Sequence, residues 1–215
     1  MRFLIPFEGR EPKTRLGDTL SLSERQAFAR AMLRDVLIAV RDAGHDPVIV
    51  SPSPLDIETP TIVDDSPLSE AINSTLSTTA LPVAVVMADL PLVTPSTLEE
   101  FVETPGDVVL APGLGGGTNA LVVRDSAFSV DYHGTSYLDH LDIAQEVGLT
   151  VSEAGSWRLT IDVDEPSDLT EILFHSNGHA HEWLVEHGFS LEATSGRTNT
   201  TRGQRTSSLT SGPSG

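Results

Sequence analysis

Apolar and polar positions fall into two kinds of block along the chain. Residues 2–7 form a short apolar run that ends in a polar loop, as a buried strand does. The Ser21-Leu22-Ser23-Glu24 spacing then predicts a helix that opens with a capping box. Behind it Phe28, Ala31, Met32, Val36, Leu37 and Val40 recur at helical intervals until Gly44 offers a stop. Residues 47–51 and 61–63 predict two further strands, and residues 67–79 a helix capped by Ser66. Residues 82–87, PVAVVM, are apolar throughout, the mark of a parallel strand buried on both faces, so this segment is expected at the sheet centre. Thr94-Pro95 opens another helix with proline at its first position, and residues 107–111 return as a strand.

Beyond Ala111 a glycine-rich stretch (113–117) leads to a predicted strand at 119–124 and a helix at 136–146. A strand at 159–161 is expected to run into DVDEP, followed by helices from Pro166 to about His175 and over 179–187. Strands alternating with helices predict an α/β fold with an open sheet covered by helices on both faces. In such sheets ligands sit beyond the carboxyl ends of the strands.

With 215 residues, 39% of them hydrophobic, the chain can bury one sizeable core, so one domain over residues 1–192 is expected. Residues 193–215 are rich in Ser, Thr, Gly and Arg and poor in large apolar side chains, which predicts a flexible tail. The chain carries 31 acidic against 13 basic side chains, and three of the basic ones (Arg197, Arg202, Arg205) lie in that tail, so the domain itself is more acidic than the net −18 indicates. Such charge repels itself in dilute buffer, but at molar salt the screening length falls to about 3 Å. The composition therefore points to a folded protein of a high-salt cytoplasm, with an ordinary acidic protein of biased composition as the rival reading. No basic face exists to pair with nucleic-acid phosphates, and no apolar run reaches membrane-spanning length. The absence of cysteine excludes disulfides and thiolate metal sites.

Lysine has been eliminated except at Lys13, in the polar loop after the first strand. Asp89 lies just past the expected central strand, in ADLPL, where Pro91 stops the strand. In Ile161-Asp162-Val163-Asp164, residues two apart in an extended segment point the same way, and a magnesium ion is the economical relief for the repulsion between the two carboxylates. The glycines before Thr118 would let backbone N–H groups converge on an anion, with the Thr118 hydroxyl beside them. Ser136, after His133-Gly134-Thr135, would place a hydroxyl and helix N-terminal amides within reach of a phosphate. Each feature alone has a plainer reading: a turn aspartate, a solvated acidic turn, a flexible connector, an N-cap. Together with Lys13 and Arg15 on the same sheet edge they describe a nucleoside triphosphate site without a Walker motif, since no GxxxxGK[ST] occurs.

In this order, PKTRL after the first strand, ADLPL, GGGTNAL, Gly134 and Ser136 before a helix, and DVDEP resemble the 2-phospho-L-lactate guanylyltransferase family of coenzyme F420 biosynthesis. The resemblance spans the chain to about residue 190. It implies a GT-A-like, molybdenum-cofactor-guanylyltransferase-like three-layer α/β/α fold with a mostly parallel sheet. The implied reaction joins GTP to a three-carbon phosphate acceptor, 2-phospho-L-lactate or phosphoenolpyruvate, with loss of pyrophosphate. By the family's motifs Asp89, Asp162 and Asp164 would hold Mg2+, Lys13 and Arg15 would face the GTP phosphates, and Thr118, Gly134 and Ser136 would grip the acceptor's phosphate. A homodimer is a further expectation of the resemblance. A same-fold nucleotidyltransferase with a molybdopterin or sugar phosphate acceptor, and a non-catalytic nucleotide-binding module, stay open at this point.

Overall fold

Strands form where the apolar runs lie. β1 (Arg2–Pro6), β2 (Asp46–Ser51), β3 (Thr61–Val63), β4 (Val83–Val86), β5 (Val108–Pro112), β6 (Thr118–Val123) and β7 (Val151–Glu153) make one seven-stranded sheet in the order β3-β2-β1-β4-β6-β5-β7. The structure is a computed structural model that describes residues 1–194 and 197–203. β1 runs parallel to β2 and β4, β2 to β3, and β5 to β7, whereas β6 is antiparallel to both β4 and β5. The continuously apolar β4 holds the centre, and Val83 to Val86 are fully buried.

Alternate residues of these strands feed two cores, because successive side chains leave a strand on opposite faces. Phe3, Ile5, Ala84 and Val86 pack with Phe28, Met32, Val36 and Val40 of α1 (Leu22–Asp42) and Phe101 of α3 (Pro95–Glu103). The short helices α5 (Trp157–Thr160), α6 (Leu169–His175) and α7 (His179–Glu186) complete that layer through Leu159, Ile172 and Leu184. On the other face Leu4, Val83 and Val85 meet Ile72 of α2 (Leu68–Thr78) and Ala144 of α4 (Ser136–Glu146). The three-layer α/β/α arrangement is thus the expected one, with a mostly parallel sheet. Among the described residues no helix is long and apolar enough to cross a membrane.

The predicted capping box is present: Ser21 Oγ accepts the Glu24 N–H, and the Glu24 carboxylate accepts that of Ser21 at 2.9 Å. α3 opens on Thr94 with Pro95 in its first turn, also as expected. Four local expectations are corrected. Ser66 does not cap α2, whose N-cap is Pro67; the Ser66 N–H instead binds the Asp64 carboxylate at 2.9 Å. Residues 159–161 are no strand, because β7 already holds the open edge of β5, and the segment turns as α5 instead. α6 starts at Leu169 rather than Pro166, because Asp168 Oδ2 accepts the N–H groups of Asp164 (2.9 Å) and Glu165 (2.7 Å) and folds the intervening residues into a turn.

The fourth correction concerns the expected tail. β8 (Phe189–Thr194) and β9 (Arg197–Arg202) form an antiparallel hairpin, so ordered backbone continues well past residue 192. A two-stranded ribbon pairs only its inward-facing backbone groups within itself, so besides the buried Phe189 further side chains must tie it to the domain. Arg202 does so: its guanidinium binds the Glu24 carboxylate and the Thr19 carbonyl (3.0 Å), and lies over the Phe189 ring at 4.9 Å. Residues 204–215 of the expected tail lie outside the described residues.

The Glu24 carboxyl is held down at about 2, chiefly by the hydrogen bond from Arg202, against a smaller upward push from burial. A carboxyl depressed in the folded state stabilises fully above its unfolded pKa, near 4.5, and loses that contribution as pH falls toward about 2. Arg202→Ala should therefore cost about 1 kcal/mol at neutral pH and low salt. It should also flatten the acid limb of the urea-unfolding free energy between those two pH values, whereas an unchanged limb would mean that the ion pair contributes nothing.

Candidate functional site

The site grows from strand ends. β1 and β4 are parallel neighbours, so the loop after Phe7 and the turn after Met87 emerge on the same edge of the sheet. That loop is fixed from α1, where Arg25 Nη1 donates to the Pro12 carbonyl at 2.7 Å, and by a 3-10 turn over Thr14–Leu16 that buries Leu16. Lys13 stands between these anchors in the left-handed region (φ 52°), the one non-glycine residue with positive φ among those described. Such a conformation costs of order 1–3 kcal/mol and persists only where its surroundings impose it.

The Lys13 side chain is nearly buried, and its ammonium bridges two carboxylates from distant parts of the chain. Nζ donates to Asp89 Oδ2 and, at 2.7 Å, to Asp164 Oδ1, while the exposed Arg15 reaches Asp164 Oδ2 at 3.4 Å. Burial on its own would lower the Lys13 pKa, but the charges of Asp89 and Asp164 and their hydrogen bonds outweigh it, and the net shift is upward. The ammonium is therefore fully charged at neutral pH.

Asp162 lies near enough to both carboxylates to feel their charge. Burial, then repulsion from Asp89 and Asp164, raises its carboxyl, against the hydrogen bond from Asn119 Nδ2 at 3.1 Å and one from its own backbone amide. The segment is docked on the Asp89 turn by the Val163 N–H, which donates to the Asp89 carbonyl at 3.1 Å. Asp89 Oδ1 is buried without a hydrogen-bond partner. Among the described residues no group of three or more His, Cys, Asp or Glu side chains converges on a single metal-sized point, and Lys13 fills the space between Asp89 and Asp164. An orphaned carboxylate oxygen next to a carboxyl raised by burial and by its neighbours' charge nonetheless offers oxygen donors of the kind a hard cation such as Mg2+ takes.

The residues expected at an acceptor phosphate lie at the start of the adjoining strand β6 and at the start of α4. Because β6 is reversed, its first residue, Thr118, lies at the carboxyl edge of β4 and β5. The Thr118 N–H donates to Ser136 Oγ at 2.9 Å, and Thr118 Oγ1 is 2.8 Å from His140 Nδ1. Ser136 is the first residue of α4 rather than its cap, and the helix starts from Thr135 without a side-chain cap. Gly134 is exposed, with φ +44°, in the turn that delivers the chain to α4.

The glycine loop differs from the open anion cradle its sequence predicts. The N–H groups of Gly113, Leu114 and Gly116 bind the carbonyls of Gly117 (2.9 Å), Thr160 (3.2 Å) and Gly113 (3.0 Å), so these amides serve the loop itself. Gly113 is glycine for a steric reason: a Cβ there would come within 2.5 Å of Asn119 Oδ1. Asn119, Asp168 and His140 act in the site without having been assigned a role from sequence. A polar residue beginning an otherwise apolar strand was the available signal for Asn119.

Two adjoining cavities open on the same edge. One of about 300 Å3 is lined by Phe7, Glu8, Lys13, Met87 and Asp89. Its neighbour of about 510 Å3 shares Phe7, Glu8 and Met87 and extends to Ser51, Ser66 and Leu68 beyond the ends of β2 and β3. A buried cation among carboxylates, next to space of nucleoside size, is suited to binding a polyanion that exchanges with those carboxylates.

A family model described as "Guanylyl transferase CofC like" matches residues 1–206. The 2-phospho-L-lactate guanylyltransferase of Natronomonas pharaonis is 54% identical over 202 residues, covering 94% of this chain and 99% of that relative. That of Haloferax volcanii is 53% identical over 206 residues, covering 95% and 100%. Among solved structures, a Desulfovibrio desulfuricans protein described as a nucleotide-diphospho-sugar transferase aligns with a TM-score of 0.69 at 17% identity, over 86% of this chain and 94% of that one. A nucleotidyl transferase from Methanothermobacter aligns at 0.56 and 17%, over 81% and 96%. At such identities these two likenesses show the fold.

Removing the Lys13 ammonium leaves Asp89 without its cation and Asp164 with only the exposed Arg15. Lys13→Met should lower the denaturation midpoint, and Asp89→Asn in the same molecule should restore part of the loss, with a coupling of about 1–2 kcal/mol in a double-mutant cycle. Additive effects would show that the two side chains do not form a pair.

Proposed function

The chain belongs to the CofC-like guanylyl transferase family, and from that premise we propose that it transfers GMP from GTP to the phosphate of 2-phospho-L-lactate. The products are lactyl-2-diphospho-5'-guanosine and pyrophosphate, a step of coenzyme F420 biosynthesis; phosphoenolpyruvate as acceptor would give the enolpyruvyl analogue. The observation that carries the reading is the ammonium of Lys13 set between Asp89 and Asp164 at the ends of β1 and β4.

In this reading the guanosine takes the larger of the two cavities, which extends beyond the ends of β2 and β3, and the triphosphate crosses Lys13. An oxygen of the acceptor's phosphate attacks the α-phosphorus of GTP, and the bond from that phosphorus to the bridging oxygen of the leaving pyrophosphate breaks. The attacking oxygen is already ionised near neutral pH, so no general base is required. The barrier is the mutual repulsion of two anions, and the residues act on it by positioning and charge. Lys13 exchanges carboxylate for phosphate oxygens at one point, and the exposed Arg15 supplies a second, mobile cation. Thr118 and Ser136 hold the acceptor's phosphate, with Gly134 shaping the turn beside it. Mg2+ held by Asp89, Asp162 and Asp164 would neutralise further charge at the α-phosphate. The acidic composition supports operation in a high-salt cytoplasm, and the proposal includes a homodimer.

Pyrophosphate release in molar KCl with Mg2+ tests this reading. GTP should outperform ATP, and 2-phospho-L-lactate or phosphoenolpyruvate should stimulate the reaction above a panel of sugar phosphates. Asp89→Ala should lose about 100-fold or more in kcat while remaining folded. Release that neither three-carbon acceptor stimulates, or near-normal turnover of Asp89→Ala, would overturn it.

A further inference from the structure

On the acceptor side lies a buried imidazole with no part yet in the reaction. His140 occupies the second turn of α4, fully buried, with Phe128 tilted against it at 5.9 Å between ring centroids and Tyr132 edge-on at 5.1 Å. Both ring nitrogens are engaged: the Asp131 backbone nitrogen lies 3.0 Å from Nε2, and Thr118 Oγ1 lies 2.8 Å from Nδ1. A backbone amide can only donate, so Nε2 must present its lone pair, and a neutral imidazole bare at Nε2 carries its proton on Nδ1. That N–H then donates to Thr118 Oγ1. The threonine hydroxyl, occupied as an acceptor from this side, has its own hydrogen left to give elsewhere.

The neighbouring hydroxyl is in the same condition. Ser136 Oγ accepts the Thr118 backbone N–H at 2.9 Å, and both side chains are buried. Two adjacent hydroxyls are thus biased toward donating, which suits a phosphate oxygen that offers only lone pairs. We propose that His140 is a positioning residue whose Nδ1–H tautomer, fixed by the Asp131 amide, turns the Thr118 hydroxyl into a donor toward the acceptor's phosphate. The proposal rests on the assignment of Thr118 and Ser136 to that phosphate.

The arrangement requires a neutral ring, since a protonated Nε2 would confront the Asp131 N–H donor to donor. The titratable groups around the ring are the Asp131 carboxylate, which favours the charged form, and the buried Tyr132 hydroxyl. Burial prevails and lowers the imidazole to about 4. The tautomer is therefore constant across the physiological range.

Long-range proton–nitrogen correlation spectra test the tautomer directly, His140 being the imidazole whose signals vanish in His140→Asn. Nδ1 should be protonated and Nε2 bare from about pH 8 to about pH 5, where an ordinary histidine titrates. An Nε2-protonated ring overturns the proposal. In steady-state kinetics His140→Leu, which fills the space without the donor, should raise the acceptor KM about tenfold while kcat and the GTP KM hold. His140→Asn, whose amide NH2 can take the place of Nδ1, should recover most of that loss. A folded His140→Leu with unchanged acceptor KM overturns the proposal, and if the leucine variant does not fold, the tautomer decides. Should the wild-type protein release no pyrophosphate, the guanylyltransferase reading fails by itself. The relay is then judged by the tautomer and by whether His140→Leu weakens binding of inorganic phosphate.

Discussion

The contact on which the site depends is one ammonium between two carboxylates. Asp89, Asp162 and Asp164 are drawn to one place by strand ends and by the Val163 N–H bonded to the Asp89 carbonyl, and three such groups repel one another. Lys13 compensates them at a backbone conformation that most side chains avoid, held by Arg25 on one side and the buried Leu16 on the other. An arginine fork would not fit between two single oxygens as a compact ammonium with three donors does. This accounts for a lysine surviving in a chain that otherwise uses only arginine. The composition made Lys13 conspicuous, and the geometry gives the reason.

A second constraint is topological. Six strands point one way and deliver their carboxyl ends to the site, but β6 runs the other way and delivers its beginning. Thr118 and Asn119 thereby join residues that follow β1 and β4. A fully parallel sheet would put the start of β6 at the far edge, separating the proposed phosphate grip from Lys13 by the length of a strand. Gly113 completes the arrangement, since only a residue without Cβ leaves room for the Asn119 amide to reach Asp162.

Much of this was legible in sequence wherever the signal was local. The capping box, the apolar β4 and the proline-led α3 are written in a few consecutive residues, and Lys13 and Asp89 were placed on one edge by the rule that loops after parallel strands share it. Their direct contact was not legible, nor was the role of Lys13 as partner to Asp164 as well, because strand neighbours are set by tertiary packing. Asn119 and His140 carry no local signal, because their partners include the Leu159 carbonyl and the Thr118 hydroxyl, 40 and 22 residues away, and a loop amide at Asp131. The hairpin of β8 and β9 was misread for a different reason. Composition gauges the capacity to build a core, whereas this ribbon relies on backbone pairing and on Arg202 bridging to Glu24.

The reversed strand also links the two halves of the site. Thr118 turns toward α4, where it meets Ser136 and His140, and Asn119 turns the opposite way, toward Leu159 and Asp162. Consecutive residues of a strand face opposite sides and their Cα atoms stand about 3.8 Å apart, so no flexible segment intervenes between the two groups. A displacement of β6 would move the hydroxyls beside α4 and the amide that steadies Asp162 together. The antiparallel ladders to β4 and β5 hold β6 on both sides and resist that displacement. Alignment of two anions for in-line transfer demands relative positions kept within a fraction of an ångström, and a single doubly paired strand is an economical way to keep them.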